Sequence, residues 1–96
     1  MKNTVTEEKI RKYMEVTAKA LEAVRKAEKD ASRMKEAEDF LDMATRYYED
    51  AKHFEETGRR VLAFGAVNYA HAWLDAGARL GLFKVKDSNL FTVDDG

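Results

Sequence analysis

Apolar residues recur along the first third of the chain with the period of a helix. Ile10, Met14, Thr17, Leu21 and Val24 follow one another at alternating steps of four and three, flanked by Tyr13, Ala20 and Ala27, and so draw one stripe down a helix face. Thr4, followed three residues later by Glu7, has the pattern of a capping box, in which hydroxyl and carboxylate each satisfy a free backbone N–H; this predicts a helix over about residues 5–30. Opposite the stripe, Glu8 and Lys12, Glu15 and Lys19, and Glu22 and Lys26 stand at i,i+4 in the favourable order, which predicts a solvated face.

A second stripe runs through Ala37, Phe40, Leu41, Ala44, Tyr47, Tyr48, Ala51 and Phe54, with Ser32 as its expected cap and Gly58 as the left-handed residue that closes it. The second helix is therefore expected over about residues 33–57. The pattern restarts directly after Gly58, and so short a connection makes the second and third helices antiparallel neighbours.

The third helix, expected over about residues 59–81, has a wider apolar face. At about 100° per residue, Leu62, Ala66, Tyr69, Ala70, Trp73, Leu74, Gly77 and Leu80 cover an arc of roughly 140°. One neighbour cannot cover that arc. Small Ala66, Ala70 and Gly77 along its middle would let another helix backbone approach, and Trp73 and Leu74 are expected to face the junction of the three helices. After Gly81 the chain alternates apolar and polar residues around the turn-like Asp87-Ser88-Asn89. Leu82, Phe83, Val85, Leu90, Phe91 and Val93 make this tail, residues 82–96, too apolar for an ordinary disordered one, so it either folds back onto the bundle, the favoured reading, or adds to a partner surface. The fold class is all-α: a single-domain antiparallel three-helix bundle with a short extended C-terminal tail.

The segment RYYEDAKHF, then Gly58, then AFGAVNYAHAWLDAGARLGLF resembles the archaeal family known as Domain of Unknown Function 357, small helical-bundle proteins with no assigned activity. The likeness is strongest over residues 46–83. Its most specific part is Tyr69-Ala70-His71, followed by Leu74-Asp75-Ala76-Gly77 and Arg79-Leu80-Gly81. Arg59 departs from the family, which is expected to carry an acidic residue after the helix-ending glycine. The resemblance implies a helical bundle in an archaeal cytoplasm. It implies no chemistry.

Composition removes several chemistries. With no cysteine among 96 residues there is no disulfide framework, thiolate zinc site, iron–sulfur cluster or cysteine nucleophile. Seventeen basic residues against 18 acidic ones lack the excess of a nonspecific nucleic-acid binder. The distribution is uneven, however. Residues 33–56 carry eight acidic and four basic side chains, whereas over residues 59–86 only Asp75 opposes Arg59, Arg60, Arg79, Lys84 and Lys86. Attraction between the second and third helices is the simplest account; a basic end near Arg79, Lys84 and Lys86 able to meet phosphate is the alternative. The amino terminus turns charged at once and has no apolar core of signal-peptide length. Asn68, His71, Asp75 and Arg79 interrupt the least polar stretch, residues 61–83, so no membrane span and a cytoplasmic location are expected.

Those four residues also form the main candidate site, a polar ridge within an arc of about 80° on the third helix. One reading is a solvated face with Asp75 bridging to Arg79. The other is a contact surface for a second chain, because Val61 and Phe64 lie on the same side with no obvious partner in their own chain. The resulting expectation is a non-enzymatic interaction or assembly module forming a homodimer through Val61, Phe64, Asn68, His71, Asp75 and Arg79. The rival is an RNA-associated protein or small hydrolase using His71, Asp75 and Arg79. Arg46 and His53 match the Arg-x(4–6)-His spacing of HEPN-type helical ribonucleases, a match that chance readily supplies. Asp50 and His53 with His71 and Asp75 would offer metal ligands, but the two histidines should stand roughly 12 Å apart along the bundle, and the chain lacks a Glu-x-x-His pair. No metal and no cofactor are therefore expected. Ser32 and Ser88 fall at element boundaries, with no nucleophile elbow and no phosphate-cradling glycine loop.

Overall fold

The computed structural model describes residues 5–91. Helix α1 spans Glu7–Lys26, a single 3-10 turn occupies Ala31–Arg33, α2 spans Met34–Glu56 and α3 spans Arg60–Arg79. The expected all-α three-helix bundle is what forms.

Helix α1 buries the stripe its period marks out: Ile10, Met14, Thr17, Ala20, Leu21 and Val24 are all inside. Its cap differs from the expected one. Thr6, in an extended conformation, accepts a hydrogen bond from the Lys9 N–H at 3.1 Å, so the helix starts at Glu7; Thr4 lies outside the described residues. On the solvated face Glu15 and Lys19 approach to 3.6 Å and Glu22 and Lys26 to 2.8 Å.

The helix ends four residues earlier than its pattern suggests because the following backbone pairs with the tail instead. Lys29 and Phe83 form an antiparallel bridge, the Asp30 N–H donates to the Leu82 carbonyl at 3.0 Å, and the Lys84 N–H donates to the Glu28 carbonyl at 2.9 Å. Asp30, rather than Ser32, then caps the next turn. Its carboxylate accepts from the Ser32 hydroxyl at 2.7 Å, the Ser32 N–H at 2.9 Å and the Arg33 Nε at 2.8 Å. These hydrogen bonds, led by the Ser32 hydroxyl and then Arg33, hold the Asp30 carboxyl down at about 2. Arg33 also donates to the Leu80 carbonyl at 2.7 Å, tying the α1–α2 corner to the end of α3.

Both α2 and α3 close on a glycine with positive φ. After α2 the Gly58 N–H reaches the Glu55 carbonyl and the Arg59 N–H the Phe54 carbonyl; after α3 the Gly81 N–H reaches Ala78 and the Leu82 N–H reaches Gly77. Each is a Schellman motif, and φ of +76° is what reserves both positions for glycine.

Helix α2 buries Ala37, Ala44 and Ala51, one alanine per heptad, and α3 answers with Ala63, Val67, Ala70, Leu74, Gly77 and Ala78. Small side chains on both seams let the two helices pack closely. The inward face of α3 is consequently rotated by roughly 70° from the one expected at 100° per residue. Leu62, Tyr69 and Leu80, expected inside, are 50%, 47% and 54% exposed, and Trp73 is half-buried beside the core rather than at the helix junction.

Large side chains for the core come from α1 and the tail. At one end Ile10 and Met14 pack with Ala51, Ala63 and Val67; at the other Leu21, Val24 and Leu74 enclose Leu82, Phe83 and Phe91. Val93 lies outside the described residues, but the described part of the tail, residues 82–91, does fold back. It does so as an irregular strap with a turn at residues 87–90, and the expected helix-to-helix approach at Gly77 is replaced by the ring of Phe83, which lies against the glycine.

Candidate functional site

His71 is the polar centre of α3, and the strap and α1 hold it from two sides. Its Nδ1 lies 2.9 Å from the hydroxyl of buried Thr17, and its Nε2 lies 2.6 Å from the Leu90 carbonyl. A carbonyl only accepts, so the tautomer that satisfies both contacts carries its proton on Nε2 and accepts from Thr17 at Nδ1. Phe91 stacks at a tilt 6.5 Å from the imidazole, and Asp75 Oδ1 stands 3.8 Å from Nε2. With both ring nitrogens engaged, an acid–base role for His71 would first require the strap to leave.

The other ridge residues do not share this environment. Asn68 is exposed and donates to the Phe64 carbonyl at 2.8 Å, one turn back on its own helix. Asp75 is half-buried, whereas Arg79 and Val61 are exposed. Phe64, expected to lack a partner in its own chain, has two: the Tyr13 ring meets it edge-on at 5.3 Å, and the Lys9 ammonium lies 5.5 Å from its centroid. The same rotation of α3 explains this, since it turns the Phe64 side toward α1. Asn68, His71 and Asp75 are brought together with Tyr13, Val16 and Ala72 around a groove of about 210 Å³ between α1 and α3.

On the opposite flank of α3 an aromatic row runs across to α2. Tyr47 meets Tyr69 edge-on at 4.5 Å, Tyr69 lies 6.1 Å from Trp73, and Trp73 meets Phe40 edge-on at 4.9 Å. Phe40, Tyr69, Ala72, Trp73 and Ala76 line a shallow apolar cavity of about 250 Å³. The buried Trp73 Nε1–H has no hydrogen-bond partner among the described residues, an uncommon state for a buried donor. The helical period alone places these aromatics in the core. Tyr69 and Trp73 at i,i+4 on one flank, with no charge between Leu62 and Ala76 on that line, were the available signal.

Among the described residues no group of three or more His, Asp or Glu side chains is placed to hold a metal ion, and no helix is long and apolar enough to cross a membrane. His53 is exposed on α2 beside Phe54, and Arg46 pairs with Asp42 at 2.8 Å rather than with His53.

The chain matches the family described as "Protein of unknown function (DUF357)" over residues 12–83, three-quarters of its length, and belongs to that family. No curated protein and no solved structure matches it.

Proposed function

We propose that this member of the DUF357 family is a non-enzymatic protein–protein interaction module, self-associating and working in the cytoplasm through the outward surfaces of α3. The observation that carries this reading is the uncharged flank on which Leu62, Tyr69 and Leu80 each expose about half their surface beside the cavity lined by Phe40 and Trp73. Exposed large apolar groups gathered on one helix face, and aromatic ones in particular, are what interface centres are made of. The polar side with Val61, Phe64, Asn68, His71, Asp75 and Arg79 is the second surface of the proposal. It offers less free apolar area, because Phe64 and His71 are already engaged within the chain. A hydrolase built on His71 finds no support in a histidine whose two nitrogens both have partners.

The test is affinity capture from native cytoplasmic extract with the wild-type chain and with Tyr69→Glu and Val61→Glu variants as bait. Proteins retained by the wild type and lost with Tyr69→Glu are expected. Identical retention by all three baits, or recovery of RNA alone in a salt-sensitive manner, refutes the reading.

A further inference from the structure

Resting on the interaction-module reading, we propose that the occupant of the apolar α3 flank is a second copy of this chain, packed antiparallel across a twofold axis at the level of His71. The flank is a palindrome. Counting outward from His71, Tyr69 mirrors Trp73, Ala66 mirrors Ala76 and Leu62 mirrors Leu80. These six positions lie on the exposed flank, at i, i+3 or i+4 spacing around one line of the helix. Off that flank the mirror holds at the small pairs Ala70/Ala72 and Gly65/Gly77 and breaks wherever a larger or polar side chain stands: Asn68 faces Leu74, Val67 faces Asp75, Phe64 faces Ala78 and Ala63 faces Arg79. Large apolar side chains are therefore matched about His71 on this flank alone.

A twofold contact requires a patch that complements itself, and this one does. Leu62 of one copy meets Leu80 of the other, the alanines leave room at the intermediate turns, and Tyr69 meets Trp73. Charge agrees with the direction. Antiparallel packing carries Arg59 of one copy past Leu80 of the other, toward the Glu36 end of α2, and neither residue makes an ion pair among the described residues of its own chain. The stripe is about 27 Å long at 1.5 Å per residue. With the adjoining edge of α2 it covers on the order of 1,000 Å² in total, the low end for a specific interface and the size of a reversible contact.

Sedimentation equilibrium over low to several hundred micromolar concentrations tests the dimer, and paired cysteine variants test its register in a chain that has no cysteine of its own. Wild type and Val61→Glu should dimerise alike, while Tyr69→Glu and Leu62→Glu, at half-exposed positions and checked for unchanged helicity, should weaken association at least about tenfold. Leu62→Cys chains mixed with Leu80→Cys chains should form an oxidised pair in higher yield than either alone. A monomeric wild type overturns the second-copy assignment; if Tyr69→Glu nevertheless strips another protein from the capture, the interaction-module reading survives it. Dimers broken by Val61→Glu but not by Tyr69→Glu overturn the assignment too, as does Leu62→Cys cross-linking best with itself.

Discussion

Two glycines inside α3 provide a sharp test of the packing, because an alanine at either gains the same helix propensity and meets opposite surroundings. A Cβ at Gly65 would have nothing within 4 Å, whereas a Cβ at Gly77 would lie 2.2 Å from Cε2 of Phe83 and within 3 Å of two further ring atoms. Gly65→Ala should therefore stabilise the fold by about 0.5–1 kcal/mol from backbone entropy alone. In Gly77→Ala the ring must retreat by more than 1 Å to reach ordinary contact. It has little room to do so, being 1% exposed and enclosed by Leu21, Val24, Leu74 and Leu82. Overpacking of that kind costs about 2–3 kcal/mol, so after the propensity gain the variant should lose about 1–2 kcal/mol. Urea unfolding of dilute, monomeric protein measures both. Shortening the obstacle decides the cause: in a Phe83→Leu background, Gly77→Ala should turn neutral or stabilising, a coupling of about 2 kcal/mol. Equal effects of the two glycine substitutions, or a Gly77→Ala loss unchanged by Phe83→Leu, would refute the placement of the strap against α3.

His71→Ala removes both contacts and leaves the buried Thr17 hydroxyl without a partner, so it should cost about 2–3 kcal/mol. Amide exchange should show protection lost first in residues 83–91, and a second change, Thr17→Val, should recover part of the loss; unaltered protection of the strap would contradict the clamp. The Asp30 carboxyl titrates lower in the fold, at about 2, than its ordinary 3.8, so the stability it contributes is present above about 3.8 and disappears as pH falls through about 2. The melting-temperature gap between wild type and Asp30→Asn should accordingly close over that window, and a constant gap from pH 5 to 2 counts against the cap. Trp73→Ala should cost about 1.5–3 kcal/mol, below the range of a fully buried tryptophan, whereas Trp73→Phe keeps the edge contact with Phe40, drops the unpartnered N–H and should stay within about 0.5 kcal/mol of wild type in urea unfolding.

The sequence by itself determined the three helices and the glycine closure of α2. One stripe per helix is unambiguous in α1, where apolar and charged faces are cleanly separated, and Ile10, Met14, Thr17, Leu21 and Val24 are all buried as spaced. Gly58 marks the stop of α2 because only glycine accepts the left-handed backbone there without strain. In α3 the same arithmetic fails for a physical reason: apolar residues lie on most of its circumference, so periodicity does not choose which of them face inward. That choice is made by the size of the opposing surface. The alanine seam of α2 admits Ala63, Val67 and Ala70 at close range and leaves Leu62, Tyr69 and Leu80 outside. The site followed the rotation. It turned Phe64 onto Tyr13 and His71 toward Thr17, contacts between residues far apart in the chain that no local spacing records. Likewise α1 stops at Lys26 only because the strap, some 55 residues later, takes the backbone partners of Glu28 and Asp30. Local pattern fixes which residues are apolar together; only packing against a particular neighbour decides which apolar side is the inside.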